Sequence, residues 1–193
     1  MAMLRLASDK KALEVDAPSG VSASPSSEDN LFQWNATVIG PDESPWEGGI
    51  YTLRLQFPDQ YPDKPPRVRF ITEMFHPNIF ADGSLCLDII QDKWKPIYTV
   101  ASILSSVQSL LCDPNTDSPA NQEVRGTALL FLHCVLYFAL LPSSFHWWKT
   151  TPFLNPALFH PHPHPLAQAA KLYGTNKKEY NRRVRKCAEK SLE

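Results

Sequence analysis

Phe75-His76-Pro77-Asn78-Ile79-Phe80-Ala81-Asp82-Gly83-Ser84-Leu85-Cys86-Leu87-Asp88 is the stretch around which this chain is organised. It carries neither the period of two of a strand nor the 3.6 of a helix. Pro77, Asp82 and Gly83 make it an ordered irregular loop, the kind of segment on which reactive groups are displayed. Cys86 lies ten positions after His76 and eight after Asn78. A thiol is a strong nucleophile near neutral pH, and as thiolate it can hold an acyl group as a thioester. An asparagine amide nearby can donate to the oxyanion formed when that acyl group is attacked. Taken alone, a cysteine reads as a small buried hydrophobe; its surroundings have to decide between the two.

Upstream lies a sheet. Phe32, Trp34, Ala36 and Val38 alternate on one face of a strand, and Tyr51, Leu53, Leu55 and Phe57 do the same on another. That period-two pattern predicts half-buried antiparallel strands. Gly40 to Gly49, rich in turn formers, joins them as a hairpin loop. A shorter strand is expected within Pro18–Pro25 and a fourth over Arg67–Thr72. Between Phe57 and that fourth strand, Pro58, Pro62, Pro65 and Pro66 exclude helix. Residues 3–14 predict an N-terminal helix with Leu4, Leu6 and Leu13 inward and Arg5, Lys10 and Lys11 exposed.

Downstream lie helices. Trp94-Lys95-Pro96 ends the loop. Val100, Ile103, Leu104, Val107, Leu110 and Leu111 then form an amphipathic stripe, predicting a helix over Thr99–Leu111 packed on the sheet. Asp113-Pro114-Asn115 stops it. Near the C-terminus, Ala167 to Tyr173 reads as a helix end closed by Gly174. Asn176, with Glu179 three residues on, reads as an N-cap with its capping-box partner. Tyr180, Val184 and Cys187 share a face of the last helix. Cys112 and Cys187 are read as packing residues.

The 193 residues, 43% hydrophobic, suffice for one domain of ordinary size with some surplus. A net charge of −1 exerts no global pull towards nucleic acid or anionic membrane. Residues 171–193 hold eight Lys/Arg against three Glu, a pattern usually met on a solvated helix face. The four cysteines show neither metal-ligand spacing nor a disulfide framework, and residues 1–14 lack the apolar core of a signal peptide. The expectation is a reducing, intracellular setting.

Residues 124–168 break this style. Ala128 to Leu141 is a 14-residue apolar run, followed by Trp147-Trp148, scattered prolines and the alternation His160-Pro161-His162-Pro163-His164-Pro165. The run falls short of the roughly 20 residues a membrane-spanning helix needs. His-Pro alternation could bind a metal but supplies no fixed geometry or second set of supporting contacts. A third reading is that Val124–Gln168 is a retained intron. Excising it joins Ser-Pro-Ala-Asn-Gln-Glu to Ala-Ala-Lys-Leu-Tyr-Gly as one continuous helical sequence. Valine codons begin with GT and glutamine can be CAG, the bases expected at the two ends of an intron. The organisation expected is a core over 1–123, an intrusive segment over 124–168, and C-terminal helices of the core over 169–193.

Gly40-Pro41, Ser44-Pro45-Trp46, Gly48-Gly49, Tyr61-Pro62, Pro65-Pro66, His76-Pro77-Asn78, Gly83-Ser84-Leu85-Cys86-Leu87-Asp88 and Trp94-Lys95-Pro96 occur in one order and at one spacing. Together they resemble the core of a ubiquitin-conjugating enzyme, over residues 4–123 and 169–193. Met74-Phe75-His76, Tyr98-Thr99-Val100 and Ser118-Pro119-Ala120-Asn121 look most like the DNA-repair branch, which modifies histone and sliding-clamp lysines and serves protein degradation. The fold expected is α+β in one domain: N-terminal helix, four-stranded antiparallel meander, active-site loop, central helix and C-terminal helices.

The resemblance implies that Cys86 accepts ubiquitin as a thioester from the activating enzyme and passes it, with a RING-type ligase, to a lysine of a protein substrate. It implies Asn78 as oxyanion donor or loop organiser and Asp88 as a group that orients the incoming lysine, set against a plain surface carboxylate. His76 and Pro77 would brace the loop, although His76 is also near enough in sequence to suggest a Cys–His pair. Arg5, Lys10 and Lys11 would meet the activating enzyme; Asp63, Lys64, Trp94, Lys95, Pro96, Ser118, Pro119 and Ala120 would face the ligase. No metal or organic cofactor is implied, ATP being used upstream by the activating enzyme. Nucleus and cytoplasm are the implied locations, with no membrane and no direct nucleic-acid partner. Two departures stand out: Phe80 where many members carry tyrosine, and Ser118 where some carry aspartate, a position at which phosphorylation would add charge. Competing readings are a non-catalytic or misfolded binding module, a conjugating enzyme for a ubiquitin-like modifier, and a cysteine hydrolase using Cys86 and His76.

Overall fold

A computed structural model of the chain describes residues 1–115 and 165–193, with side chains from 168 onward in the second stretch. Helix α1 (Ala2–Val15) leads into four strands, β1 (Val21–Ser27), β2 (Asn30–Ile39), β3 (Ile50–Gln56) and β4 (Arg67–Phe70). They pair antiparallel in sequence order, as a meander. A 3₁₀ turn (Asp88–Ile90) and helix α2 (Val100–Cys112) follow, then α3 (Pro165–Thr175) and α4 (Lys177–Lys190). The α+β architecture expected from the sequence is the one observed.

Alternation explains the sheet. Trp34, Ala36 and Val38 of β2 and Tyr51, Leu53 and Leu55 of β3 all point inward and are buried. Between them, Asn35, Thr52, Arg54 and Gln56 take the outer face, none of them buried. Helix α2 covers the inner face with Val100, Ile103, Leu104, Val107 and Leu111, none more than 1% exposed. Its first turn is fixed by a capping box: Thr99 Oγ1 accepts from the Ser102 N–H, and Ser102 Oγ accepts from the Thr99 N–H.

Three local expectations are corrected. Leu4 is 78% exposed, and the inward stripe of α1 is Ala2, Leu6, Asp9 and Leu13. Asp9 takes the place an apolar residue would fill because it is paired: its carboxylate accepts from Arg5 Nε at 3.1 Å and from the Tyr61 hydroxyl at 2.9 Å. Gly174 does not close its helix, which runs to Thr175. The break falls at Asn176, whose side chain accepts from the Glu179 N–H while the Glu179 carboxylate turns to Arg182 and Arg183 instead of completing the box. Cys112 is exposed at the end of α2, whereas Cys187 is half-buried and burial pushes its thiol pKa up.

The C-terminal helices join the same core. Tyr180, Val184 and Ala188 of α4 are buried, and Tyr180 packs against Phe75 and edge-on against Tyr173. Lys190 pairs with Glu73 at 2.6 Å, and Ser191 Oγ accepts from the Ile50 N–H. Helix α4 thus leans on the residues that open the Cys86 loop.

Arg5 links α1 to the approach of α2, donating to the Pro96 carbonyl at 2.9 Å and the Tyr98 carbonyl at 2.7 Å besides pairing with Asp9. Truncating it leaves the buried Asp9 carboxylate with one partner fewer and takes the donor from the half-buried Tyr98 carbonyl, while the exposed Pro96 carbonyl turns to water. Arg5→Ala is expected to cost about 2 kcal/mol, read as a lowered urea midpoint at unchanged slope. Lys11→Ala, exposed on the same helix, serves as the control with no resolvable change.

Candidate active site

The loop that carries Cys86 is built on the end of β4. Phe70 donates its N–H to the Gly83 carbonyl at 2.9 Å, and Ile79 and Leu85 form an isolated antiparallel bridge. Gly83 has φ +86, and a Cβ there would run into the Phe70 carbonyl oxygen, so glycine is required on both counts. Asp82 caps the turn, accepting from the Ser84 N–H at 2.9 Å and the Ser84 hydroxyl at 2.8 Å. Cys86, half-buried, donates its backbone N–H to the Asn78 carbonyl at 2.8 Å. The cysteine and the His-Pro-Asn motif are therefore two sides of one closed turn.

His76 holds this turn to the helix. Its side chain is 1% exposed, packed against the Trp46 ring, and burial lowers its pKa from 6.5 to about 4. The ring is consequently neutral at pH 7. Nδ1 accepts from the Asn78 N–H at 3.0 Å, which makes Nε2 the protonated nitrogen, donating to the Leu110 carbonyl of α2 at 2.9 Å. Both nitrogens are spent on backbone groups, so this imidazole is a brace and not a base poised beside the thiol. Pro77, buried next to it, takes the second position of a turn closed by the Ile79 N–H donating to the His76 carbonyl at 3.3 Å, a place that suits its fixed φ.

The Asn78 side chain is also buried, with Nδ2 donating to the Asn115 carbonyl at 2.7 Å, just beyond the end of α2. The amide is thereby fixed in orientation, with its second N–H hydrogen left over for other partners. Asp88 stands two residues from Cys86 at the start of the 3₁₀ turn, its side chain 42% exposed and 2.6 Å from Lys93 Nζ. The hydrogen bond from Lys93 holds the Asp88 carboxyl below its ordinary pKa and raises that of the lysine. Lys93 and the Asn115 and Leu110 carbonyls had no signal in the sequence reading, because each acts through a contact that composition and periodicity do not encode.

The residues expected to face partners fall into two groups. Asp63 and Lys64 are exposed on the loop before β4, and Lys95 and Pro96 are exposed before α2. Trp94 is half-buried between them, donating Nε1–H to the Pro62 carbonyl at 2.8 Å and packing against Tyr61 and Tyr98, so these two loops form one rim. Lys10 and Lys11 lie on α1, Lys11 exposed and Lys10 partly so, whereas Arg5 is engaged as described above. Ser118, Pro119 and Ala120 and the segment's histidines lie outside the described residues. Among the described residues, no cluster of three or more His, Cys, Asp or Glu could hold a metal, and no helix is long and apolar enough to cross a membrane.

A thiol on a braced loop at the edge of a meander, with its neighbouring imidazole consumed structurally, defines a class of thiol-bearing α+β proteins in which histidine is scaffold. Comparison with known proteins makes this specific. Residues 5–128 match the family described as ubiquitin-conjugating enzyme. The chain is 43% identical over 187 residues to ubiquitin-conjugating enzyme E2 3 of Arabidopsis thaliana, covering 97% of this chain and 94% of that one. It is 60% identical over 122 residues to ubiquitin-conjugating enzyme E2 2 of Debaryomyces hansenii, covering 63% and 72% of the two chains. The chain belongs to the ubiquitin-conjugating enzyme family, a family of transferases that work with ubiquitin, its activating enzyme and ligases.

The buried His76 makes stability depend on pH with a definite sign. Its folded pKa lies below the unfolded value of 6.5, so its contribution is full above 6.5 and is lost as pH falls towards about 4. The loss is on the order of 3 kcal/mol. Urea midpoints at pH 7 and pH 4.5 are expected to differ more for the wild type than for His76→Gln; equal differences would mean that the ring is not held neutral.

Proposed function

We propose that Cys86 carries ubiquitin as a thioester. Its thiolate attacks the carbonyl carbon of ubiquitin's C-terminus on the activating enzyme, forming one thioester and expelling the activating enzyme's thiolate. A lysine amine of the substrate then attacks, forms the isopeptide bond, expels the Cys86 thiolate and gives up a proton to solvent. The observation that carries this reading is the engaged, neutral His76: with Nδ1 on the Asn78 N–H and Nε2 on the Leu110 carbonyl, this imidazole is not available to activate water for hydrolysis of an acyl group held on the loop.

In this reading Asn78 uses its remaining N–H on the oxyanion, Asp88 receives the incoming lysine, and no cofactor is needed at the site. The rim of Asp63, Lys64 and Trp94 to Pro96 takes a RING-type ligase, and α1 the activating enzyme. The motifs quoted above, Met74-Phe75-His76, Tyr98-Thr99-Val100 and Ser118-Pro119-Ala120-Asn121, support placement in the DNA-repair branch. Histone or clamp lysines, protein degradation, and a nuclear and cytoplasmic location go with that placement. Residues 124–168 are proposed to be a retained intron interrupting the core, supported by the continuous helical sequence that its removal restores and by the codons its first and last residues allow.

The test is thioester formation. Full-length chain, Cys86→Ser and a form lacking 124–168 are incubated with activating enzyme, ubiquitin and ATP and resolved without reductant. A thiol-sensitive adduct is expected on the first and third and absent from the second; no adduct on either would overturn the reading. A second outcome follows from Lys93, which occupies the carboxylate that the acceptor lysine needs. Lys93→Ala is expected to speed discharge onto free lysine up to about fivefold, the ceiling for an exposed ion pair, while Asp88→Asn slows it. Equal rates in all three would make Asp88 a surface carboxylate.

A further inference from the structure

The outer face of the sheet carries charge of one sign. Arg54 of β3 and Arg69 of β4 are directly opposite one another in the register, and Arg67 is opposite Gln56 one step along. All three arginines are exposed. Outward positions of the neighbouring strands are Ser22, Ser24, Gln33, Asn35, Thr37 and Thr52, with no carboxylate among them. Like charges placed directly across a sheet are destabilising, and no side-chain ion pair among the described residues relieves them. Asp82, which also lines this face, has its carboxylate hydrogen-bonded to Ser84 and gives Arg69 its backbone carbonyl, the Arg69 charge adding a smaller pull on the carboxyl.

These arginines line a groove of about 590 Å³. Its far wall is Ser84 and Leu85, the two residues immediately before Cys86, with Ile90 and Gln91 just beyond the 3₁₀ turn. The groove therefore runs from the basic face to the backbone of the candidate active site. Guanidinium forks match carboxylates in geometry and keep their charge at all working pH values.

We propose that the Arg54–Arg67–Arg69 groove binds an acidic segment flanking the acceptor lysine of the protein substrate, and so selects which lysine is presented to Cys86. This rests on the thioester reading given above. The occupant is assigned by charge and by place: Arg54 and Arg67, for which no carboxylate partner stands among the described residues, call for carboxylates, and the groove's wall at Ser84 and Leu85 directly precedes Cys86 in the chain. Ubiquitin choice and thioester formation do not involve it.

The experiment uses the full chain and two peptides, one lysine followed by four Glu and the same with four Gln. Direct binding is read first by fluorescence anisotropy, which needs no thioester and so separates failure of this proposal from failure of the thioester reading. Tighter binding of the Glu peptide is expected, weakening with salt and falling about tenfold in Arg54→Ala/Arg67→Ala. Ubiquitin discharge from Cys86 is then compared on the two peptides and on free lysine. The double variant is expected to lose the preference for the Glu peptide and to match wild type on free lysine; Arg54→Lys/Arg67→Lys should restore part of the preference. Equal binding of the two peptides overturns the proposal. So does a groove that binds a single-stranded oligonucleotide or inorganic phosphate in preference to the Glu peptide and leaves acceptor choice unchanged.

Discussion

One buried ring joins the two halves of the site. The Leu110 carbonyl belongs to the last four of α2, which have no partner within their own helix, and His76 Nε2–H supplies one. The same ring accepts the Asn78 N–H through Nδ1. A charged imidazole would lose that acceptor, and burial ensures that it stays neutral. The turn that presents Cys86 is thus fastened to the helix that fills the sheet's inner face, and the core determines where the thiol stands.

Asn78 repeats the arrangement one step further on. Its carbonyl takes the Cys86 N–H, its N–H goes to His76, and its amide reaches the Asn115 carbonyl past the end of the helix. Three of its four polar functions hold structure, so the oxyanion role proposed for it would share the amide that ties the loop to α2. A substitution there disturbs the loop's tie to α2 as well as any bond to an oxyanion. His76 contributes nothing comparable to chemistry, because both nitrogens are already used on backbone groups.

The parts of this structure that were legible in the sequence are those written in short-range period. Alternation over Phe32–Val38 and Tyr51–Phe57, and the stripe from Val100 to Leu111, recovered the sheet and its covering helix, and the linked motifs around His76 and Cys86 pointed to the family. What stayed hidden depends on pairs distant in sequence. Asp9 sits on the inward face of α1 only because Tyr61 and Arg5 meet it there, and nothing in residues 2–15 announces a hydroxyl 52 positions away. Gly174 resembles a helix stop, but Asn176 provides the cap that ends the turn, so the glycine stays helical. Leu4 looked inward by composition; the stripe set by Leu6 and Leu13 turned it to solvent.

The two faces of the sheet divide the work along the same alternation. Each inward residue of β3 and β4 that builds the core obliges its neighbour to face out, and at Arg54, Arg67 and Arg69 the outward neighbours are cations. The core would accept almost any polar residue at those three places, since exposed strand positions contribute little to stability beyond propensity and cross-strand pairing. Arginine opposite arginine is among the less favourable choices for folding, so its presence is not explained by the sheet itself. The loop that bridges Arg69 to Ser84 puts this same face next to Cys86. A charge arrangement that folding does not favour, held beside Cys86 by the turn that also positions it, finds its reason in the acidic segment proposed to dock there.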